Sequence, residues 1–292
     1  EELAGHPTRQ GDYFATMRHL QIPGADCHDY RYRLPREITL HEPKYAVSVA
    51  RAYGKPRAMS EAMGGAGWGC SLQEYKRGLI TLGAMGIGMF VLHGFYNECE
   101  HQGSQADWPA SFFYQNPYWK YFGQFSALAN RISFINSTGR AVVDVGLYYP
   151  IREYEAHVVA GRGDAEGLAL CRRFDEALNA LLNRQMDTDM VDADSLARAE
   201  VRAGRLCVGT QALRALVFPA GAHLAEDLVE KLAVFQAQGG VVAFYACAPG
   251  EAPPRAFAAC PLCAPEELPD ALAERYAPDV RVRGSDLRRV YV

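Results

Sequence analysis

The chain has 292 residues, of which 49% are hydrophobic and 22% charged, and a formal net charge of -4. That length favours two domains, and a charge balance without a basic patch gives no reason to expect a nucleic-acid or anionic-membrane partner. No apolar run reaches the roughly 18 residues that cross a bilayer; the most apolar stretch, 79–95, is interrupted by glycines and reads as a buried helix running into a strand.

The N-terminus opens on Glu1-Glu2-Leu3, with no start methionine, basic segment or apolar segment of a secretion signal. The expectation is a soluble chain that begins inside a longer gene product, cytoplasmic, or periplasmic or secreted if a signal preceded it. Pro23-Gly24-Ala25-Asp26 reads as a strand end entering a loop. Residues 42–53 carry Tyr45, Val49 and Ala52 at helical spacing and stop at Gly54-Lys55-Pro56. Residues 57–61 form a short strand that ends in Glu61, followed by the glycine-rich loop Gly64-Gly65-Ala66-Gly67-Trp68-Gly69.

Ser71 and Glu74 make a capping box for a helix with Tyr75, Leu79 and Leu82 on one face. Residues 88–93 are an apolar strand ending in His93. Strand, helix and strand with runs apolar on both faces predict a parallel sheet. Polar residues at successive strand ends are the active-site pattern of a (β/α)8 barrel.

A helix over 118–136 and a strand over 142–149 follow, and composition changes near 158–166. Beyond it a helix (168–182), a strand (213–218), a helix (224–238) and a strand (241–246) predict a doubly wound sheet. The fold expectation is the C-terminal portion of a (β/α)8 barrel, 1–160, followed by a flavodoxin- or amidotransferase-like doubly wound α/β domain, 161–292.

The eight cysteines are scattered, which indicates a reducing compartment. Cys260 and Cys263 form a C-x-x-C pair, but no second pair accompanies it, so loop thiols are expected rather than zinc. Asp187, Asp189, Asp192 and Asp194 read as helix caps.

Glu61 is the sharpest chemical feature. A carboxylate on the C-terminal lip of a barrel strand lies where that fold does its chemistry, and a glycosidase needs two carboxylates across the scissile bond. The alternative is an ion pair with Arg57 or Arg51. Gly65, Gly67 and Gly69 have the wrong spacing for a dinucleotide fingerprint, and Trp68 fills the turn; Trp68 against a sugar face, or simply packed, fits better.

His93, Tyr96 and Asn97, with Asp26 and His28 from the earlier strand end and Trp108 in a later loop, are candidate sugar-binding groups. Rings take C–H faces and polar groups take hydroxyls. Glu98 and Glu100 are candidate second carboxylates or calcium ligands. Trp108, Tyr114 and Trp119 read as a loop over the barrel mouth.

With these residues in view, the first half resembles the glycoside hydrolase family of calcium-dependent α-L-rhamnosidases (family 106). The matching stretches are Ile22 through Asp26, Lys44 through Lys55, Ser60-Glu61-Ala62 with Gly67-Trp68, His93 through Tyr96, Tyr114 through Trp119, and Asp144 through Pro150. Through Leu216-Val217-Phe218-Pro219 and Gly239-Gly240-Val241-Val242, the second half is similar to the amidotransferase-like domain that follows the barrel there and in family 42 β-galactosidases. It carries no nucleophilic cysteine at an elbow, so amidotransferase activity is not implied. The resemblance implies an O-glycosyl hydrolase, with Glu61 on the seventh strand and Ca2+ as a helper near Glu98. It also implies a proton donor on an earlier strand, so that these residues alone would hydrolyse nothing. A retaining β-galactosidase-like enzyme with Glu61 as nucleophile is the alternative, and a non-catalytic carbohydrate-binding or assembly module is the third reading.

Overall fold

The computed structural model describes residues 11–27, 41–98, 109–159 and 161–277. In chain order the first part holds α1 (Tyr13–Met17), β1 (Gly24–Cys27), α2 (Glu42–Ala52), β2 (Met59–Ala62), α3 (Leu72–Ala84), β3 (Met89–Leu92) and α4 (Phe122–Thr138). β1, β2 and β3 pair in parallel in that order. A parallel ladder needs a crossover between strands, and α2 and α3 supply it. Ser71 accepts from Glu74 N–H while Glu74 reaches back to Ser71 N–H at 2.8 Å, so the expected capping box starts α3.

The two faces of this sheet differ. Cys27 and Ala62 are buried in a core with Tyr75, Leu79, Phe112, Phe122 and Phe125, and Ala25, Phe90 and Leu92 pack against it. The opposite face carries Asp26, Glu61 and Val91 side by side, and Val91 is 41% exposed there. Helices cover one side of a parallel sheet and leave the other uncovered, which is the geometry of a barrel wall with an inward face.

The second part holds β4 (Val145–Tyr148), α5 (Ile151–Glu155), the hairpin β5 (Val158–Val159) and β6 (Arg162–Gly163), α6 (Ala165–Asn183), β7 (Thr188–Val191) and α7 (Ala193–Arg198). It continues with β8 (Glu200–Arg202), β9 (Arg205–Val208), β10 (Gln211–Leu213), β11 (Ala215–Pro219), α8 (Glu226–Ala237), β12 (Val241–Tyr245), β13 (Leu262–Cys263) and α9 (Leu268–Ala273).

Five strands form one sheet in the order β13-β12-β11-β4-β7, all parallel. β4 therefore belongs to the second unit, although the sequence reading placed it before the boundary at 160; a boundary drawn between the sheets falls before Val145. Alternate residues of the central strands enter two cores. Val145, Leu147, Val217 and Ala243 face α6 and α9, while Leu216, Phe218, Val242 and Phe244 face α7 and α8. Counted from β4 the order is 5-4-3-1-2, the doubly wound flavodoxin-like arrangement.

α2 belongs to both units. Tyr45 and Val49 enter the core of the five-stranded sheet, and Ala46, Val47 and Ala50 enter the barrel-wall core. Its buried polar side chains meet β7, the edge strand. Ser48 Oγ accepts the edge N–H of Met190 at 2.8 Å, which closes a strand edge that would otherwise be open. Lys44 Nζ donates to Asp187 at 2.7 Å and to Asp189 at 2.9 Å, and Arg51 makes two bonds to Asp189, at 3.0 and 2.8 Å.

The aspartate run is thus mostly not a set of caps. Only Asp192 caps a helix, accepting from Ser195 N–H; Asp187 and Asp189 pair with α2, and Asp194 pairs with Arg18 and Arg152.

The sequence reading has no counterpart for β8–β9–β10, an antiparallel sheet beside the C-terminal end of α2. Thr210 N–H donates to Arg51 O at 3.0 Å, a closer donor than the Gly54 N–H at 3.3 Å that also meets this carbonyl at the end of α2. The turn reaches it only because residue 209 is glycine. Its φ is +56°, and an added Cβ would lie 2.1 Å from Arg51 O. Gly209→Ala is expected to lose about 2–4 kcal/mol through left-handed strain plus overpacking, read as a lower urea midpoint. An unchanged midpoint would show that this turn does not hold α2.

Candidate active site

Register brings the candidate carboxylate Glu61 and the candidate sugar-binding Asp26 together. Asp26 on β1 is the direct partner of Glu61 on β2, which in turn faces Val91 on β3. In-register residues of parallel strands point to the same face, with backbones about 4.8 Å apart. Ser60 and Ala62 turn the other way and are fully buried, so the packing of β2 fixes Glu61 on the uncovered face.

Directly after Glu61 the chain bends sharply. Met63 adopts φ 67°, and Gly64–Ala66 form one 3-10 turn ended by Gly67 at φ 75°. Trp68 lies half-buried in this glycine loop. A bulky residue in the left-handed region is uncommon and is held only where its surroundings demand it; the buried Met63 side chain supplies that demand.

His93 follows β3 at the same end of the sheet. Its Nδ1 lies 3.4 Å from Glu61 Oε1, and the two side chains are 44% and 42% exposed. Neither Arg57 nor Arg51 takes up Glu61; Arg51 is committed to Asp189. So the expected Glu61 and His93 come together, with Asp26 beside them.

Tyr96 and Asn97 lie a few residues on, and their loop is pinned to 109–118. Phe112 N–H donates to Gly94 O at 2.9 Å, Tyr96 Oη to Pro109 O at 3.1 Å, Gln115 Nε2 to Tyr96 O at 2.8 Å, and Tyr114 Oη to Asn97 O at 3.0 Å. The Tyr96 hydroxyl thus serves the loop frame. His28 and Trp108 lie outside the described residues. Among the described residues no three of His, Cys, Asp and Glu gather as a metal site requires, and Glu98 stands at the edge of the described chain.

An aromatic surface flanks this loop; Tyr114 and Trp119 were expected in a loop over the barrel mouth, while Phe95 and Phe113 are additions. Phe95 packs 6.0 Å from Phe113, Phe113 lies edge-on to Trp119 at 5.1 Å, and Trp119 stacks on Phe122 at 5.6 Å. Phe95, Tyr114 and Trp119 remain 52%, 53% and 39% exposed. Exposed rings on a rigid frame offer faces for C–H groups of a ligand. The density of aromatics between Phe90 and Phe125 was the available signal.

Cys260 and Cys263 are both free thiols. Cys260 Sγ takes a contact from Gln236 Nε2 at 3.1 Å, and burial pushes the Cys263 thiol up to about 11, which disfavours the reactive thiolate.

The chain is therefore an α/β protein in which consecutive βα units of a barrel wall adjoin a doubly wound domain. No family model and no curated protein matches it. Among solved structures it is similar to a catalytic mutant of Gan42B, a GH42 beta-galactosidase from G. stearothermophilus. The TM-score is 0.51 at 12% identity, over 80% of this chain and 34% of that one. A beta-galactosidase from the psychrophilic Marinomonas ef1 aligns with TM-score 0.49 at 12% identity, over 80% and 37%. The exo-beta-1,4-mannosidase Op5Man5 from Opitutaceae bacterium strain TAV5 aligns with TM-score 0.41 at 14% identity, over 73% and 36%. The first of these likenesses shows the fold. The chain spans about a third of the length of these proteins. No helix among the described residues is long and apolar enough to cross a membrane.

Proposed function

We propose that the chain is the later part of a glycoside hydrolase barrel with its following domain, and that Glu61 is one of the two carboxylates acting on the glycosidic bond. The observation that carries this reading is the placement of Glu61. It stands at the C-terminal end of a barrel-wall strand, on the uncovered face, level with Asp26 and 3.4 Å from His93.

The retaining, β-galactosidase-like reading is preferred, supported by the fold shared with a GH42 enzyme. Glu61 is then the nucleophile and forms the glycosyl-enzyme bond. His93 positions it, and Phe95 and Trp119 stack the sugar or its neighbour. The proton donor is assigned to a strand closing the barrel over the uncovered face, at about 5–5.5 Å from Glu61 as retention requires.

The test is labelling of the protein that carries this barrel with a 2-deoxy-2-fluoro galactoside bearing a good leaving group. The expected result is a stable sugar adduct on the peptide containing Glu61. Hydrolysis with inverted anomeric configuration and no adduct would overturn the nucleophile role.

The rhamnosidase-like motifs support a second reading, with inversion, Ca2+ held near Glu98 and an L-rhamnoside substrate. It requires that a chelator abolish turnover and that rhamnosides, not galactosides, be cleaved.

A further inference from the structure

A second cleft, of about 750 Å³, opens at the end of the barrel wall opposite Glu61. Its walls come from the end of α2, the segments entering β2 and β3, the end of α4, and the β8–β9–β10 sheet. Arg51, Lys55, Arg57, Arg140 and Arg202 line it, and among the described residues no aspartate or glutamate does. Arg51 is committed to Asp189, and Arg202 pairs with Glu200. Lys55, Arg57 and Arg140 have no carboxylate partner among the described residues. Three uncompensated cations around one cleft repel each other, and an anion between them removes that repulsion.

Two buried polar atoms narrow the ligand further. Gln211 is 4% exposed and lines the cleft. Its Nε2 donates to Asp189 Oδ2 at 2.6 Å, which fixes the orientation of the amide, since a flipped amide would set oxygen against carboxylate. Oε1 is left buried with no partner among the described residues, as is the hydroxyl oxygen of Ser137, another lining residue. Buried polar atoms are normally satisfied. An acceptor such as Gln211 Oε1 is satisfied only by a donor, and an anion that carries a hydroxyl supplies one while it neutralises the cleft.

We propose that this cleft binds a phosphate-bearing anion with a hydroxyl donor, of the class of a sugar phosphate or hydrogen phosphate itself. Guanidinium groups of Arg57 and Arg140 take the phosphate oxygens, a geometry suited to paired hydrogen bonds. Lys55 adds charge, and a ligand hydroxyl donates to Gln211 Oε1. The inference is independent of the function proposed for Glu61.

The test is calorimetric titration of the chain with glucose 6-phosphate, inorganic phosphate and sulfate, repeated with the double variant Arg57→Ala/Arg140→Ala, whose altered side chains are exposed. The expected result is binding of one or both phosphate ligands, weakened at least about tenfold in the double variant, with sulfate, which has no donor at neutral pH, binding more weakly. Tighter binding of glucose 6-phosphate identifies a phosphorylated sugar as the ligand; tighter binding of inorganic phosphate identifies the free ion. No binding of either phosphate, binding unchanged in the double variant, or sulfate bound as well as phosphate would overturn the proposal. Unchanged thermal unfolding of the unliganded double variant confirms that affinity, not folding, was altered.

Discussion

Glu61→Gln, made in the protein that carries this barrel, is expected to lower kcat on its glycoside by about 10³-fold or more while leaving the unfolding midpoint nearly unchanged. The contrast between the two readouts is the point. Glu61 is 42% exposed and faces an equally exposed His93 at 3.4 Å. Exposed ion pairs contribute at most about 1 kcal/mol, so the amide costs the fold little. It keeps the side chain's size and removes the charge that a nucleophile or base must have.

His93→Ala should act more mildly, about tenfold in kcat, because the imidazole holds Glu61 rather than touching the reacting carbon. A Glu61→Gln enzyme with full turnover would make the carboxylate a surface group, and the glycosidase assignment would lose its main support.

The position of Glu61 at a strand end was legible in the sequence because the signals that place it are local. A strand of four residues, a glycine-rich bend and a capping box at Ser71 all lie within 59–74. The same holds for His93. What the sequence did not disclose depends on distant partners. Lys44 and Ser48 look like solvent-facing residues of an amphipathic helix, yet both are buried, since Asp187, Asp189 and Met190 wait for them on β7.

Residues 142–149 carried a strand signal, but nothing within them says which sheet they join; the pairing with β11 and β7 decides it. The β8–β9 hairpin turns on a dipeptide outside the usual sequence signature. Ala203 and Gly204 both have positive φ, at 49° and 72°, the geometry of a two-residue hairpin turn. Glycine is at home there; alanine is not, and a search for Asn-Gly or Asp-Gly passes over it.

The largest effect on stability is expected from Asp189→Ala, a loss of about 3–5 kcal/mol in urea unfolding. Asp189 is fully buried and receives Lys44, two bonds from Arg51 and Gln211 Nε2. Its removal leaves a 1%-exposed ammonium with only the half-buried Asp187 for company. Lys44→Met should cost less, because Asp189 keeps Arg51 and Gln211 while methionine fills the volume.

The same network sets an acid limit. Burial opposes the charge on Asp189, but Arg51 and Lys44 outweigh it and hold the carboxyl well below the usual range. Asp175, half-buried beside His41 at 3.1 Å, is likewise held low, the desolvation that opposes its charge outweighed with the help of the histidine contact. A carboxyl depressed in the folded state contributes stability that is complete above its unfolded pKa, about 3.9, and is lost as pH falls through the folded value. The wild-type urea midpoint should therefore drop steeply below about pH 4, and Asp189→Ala should flatten that drop as well as lower the plateau. Parallel curves for the two proteins would show that Asp189 is not ionised in the fold, and that α2 is held to β7 by packing and the Ser48 bond alone.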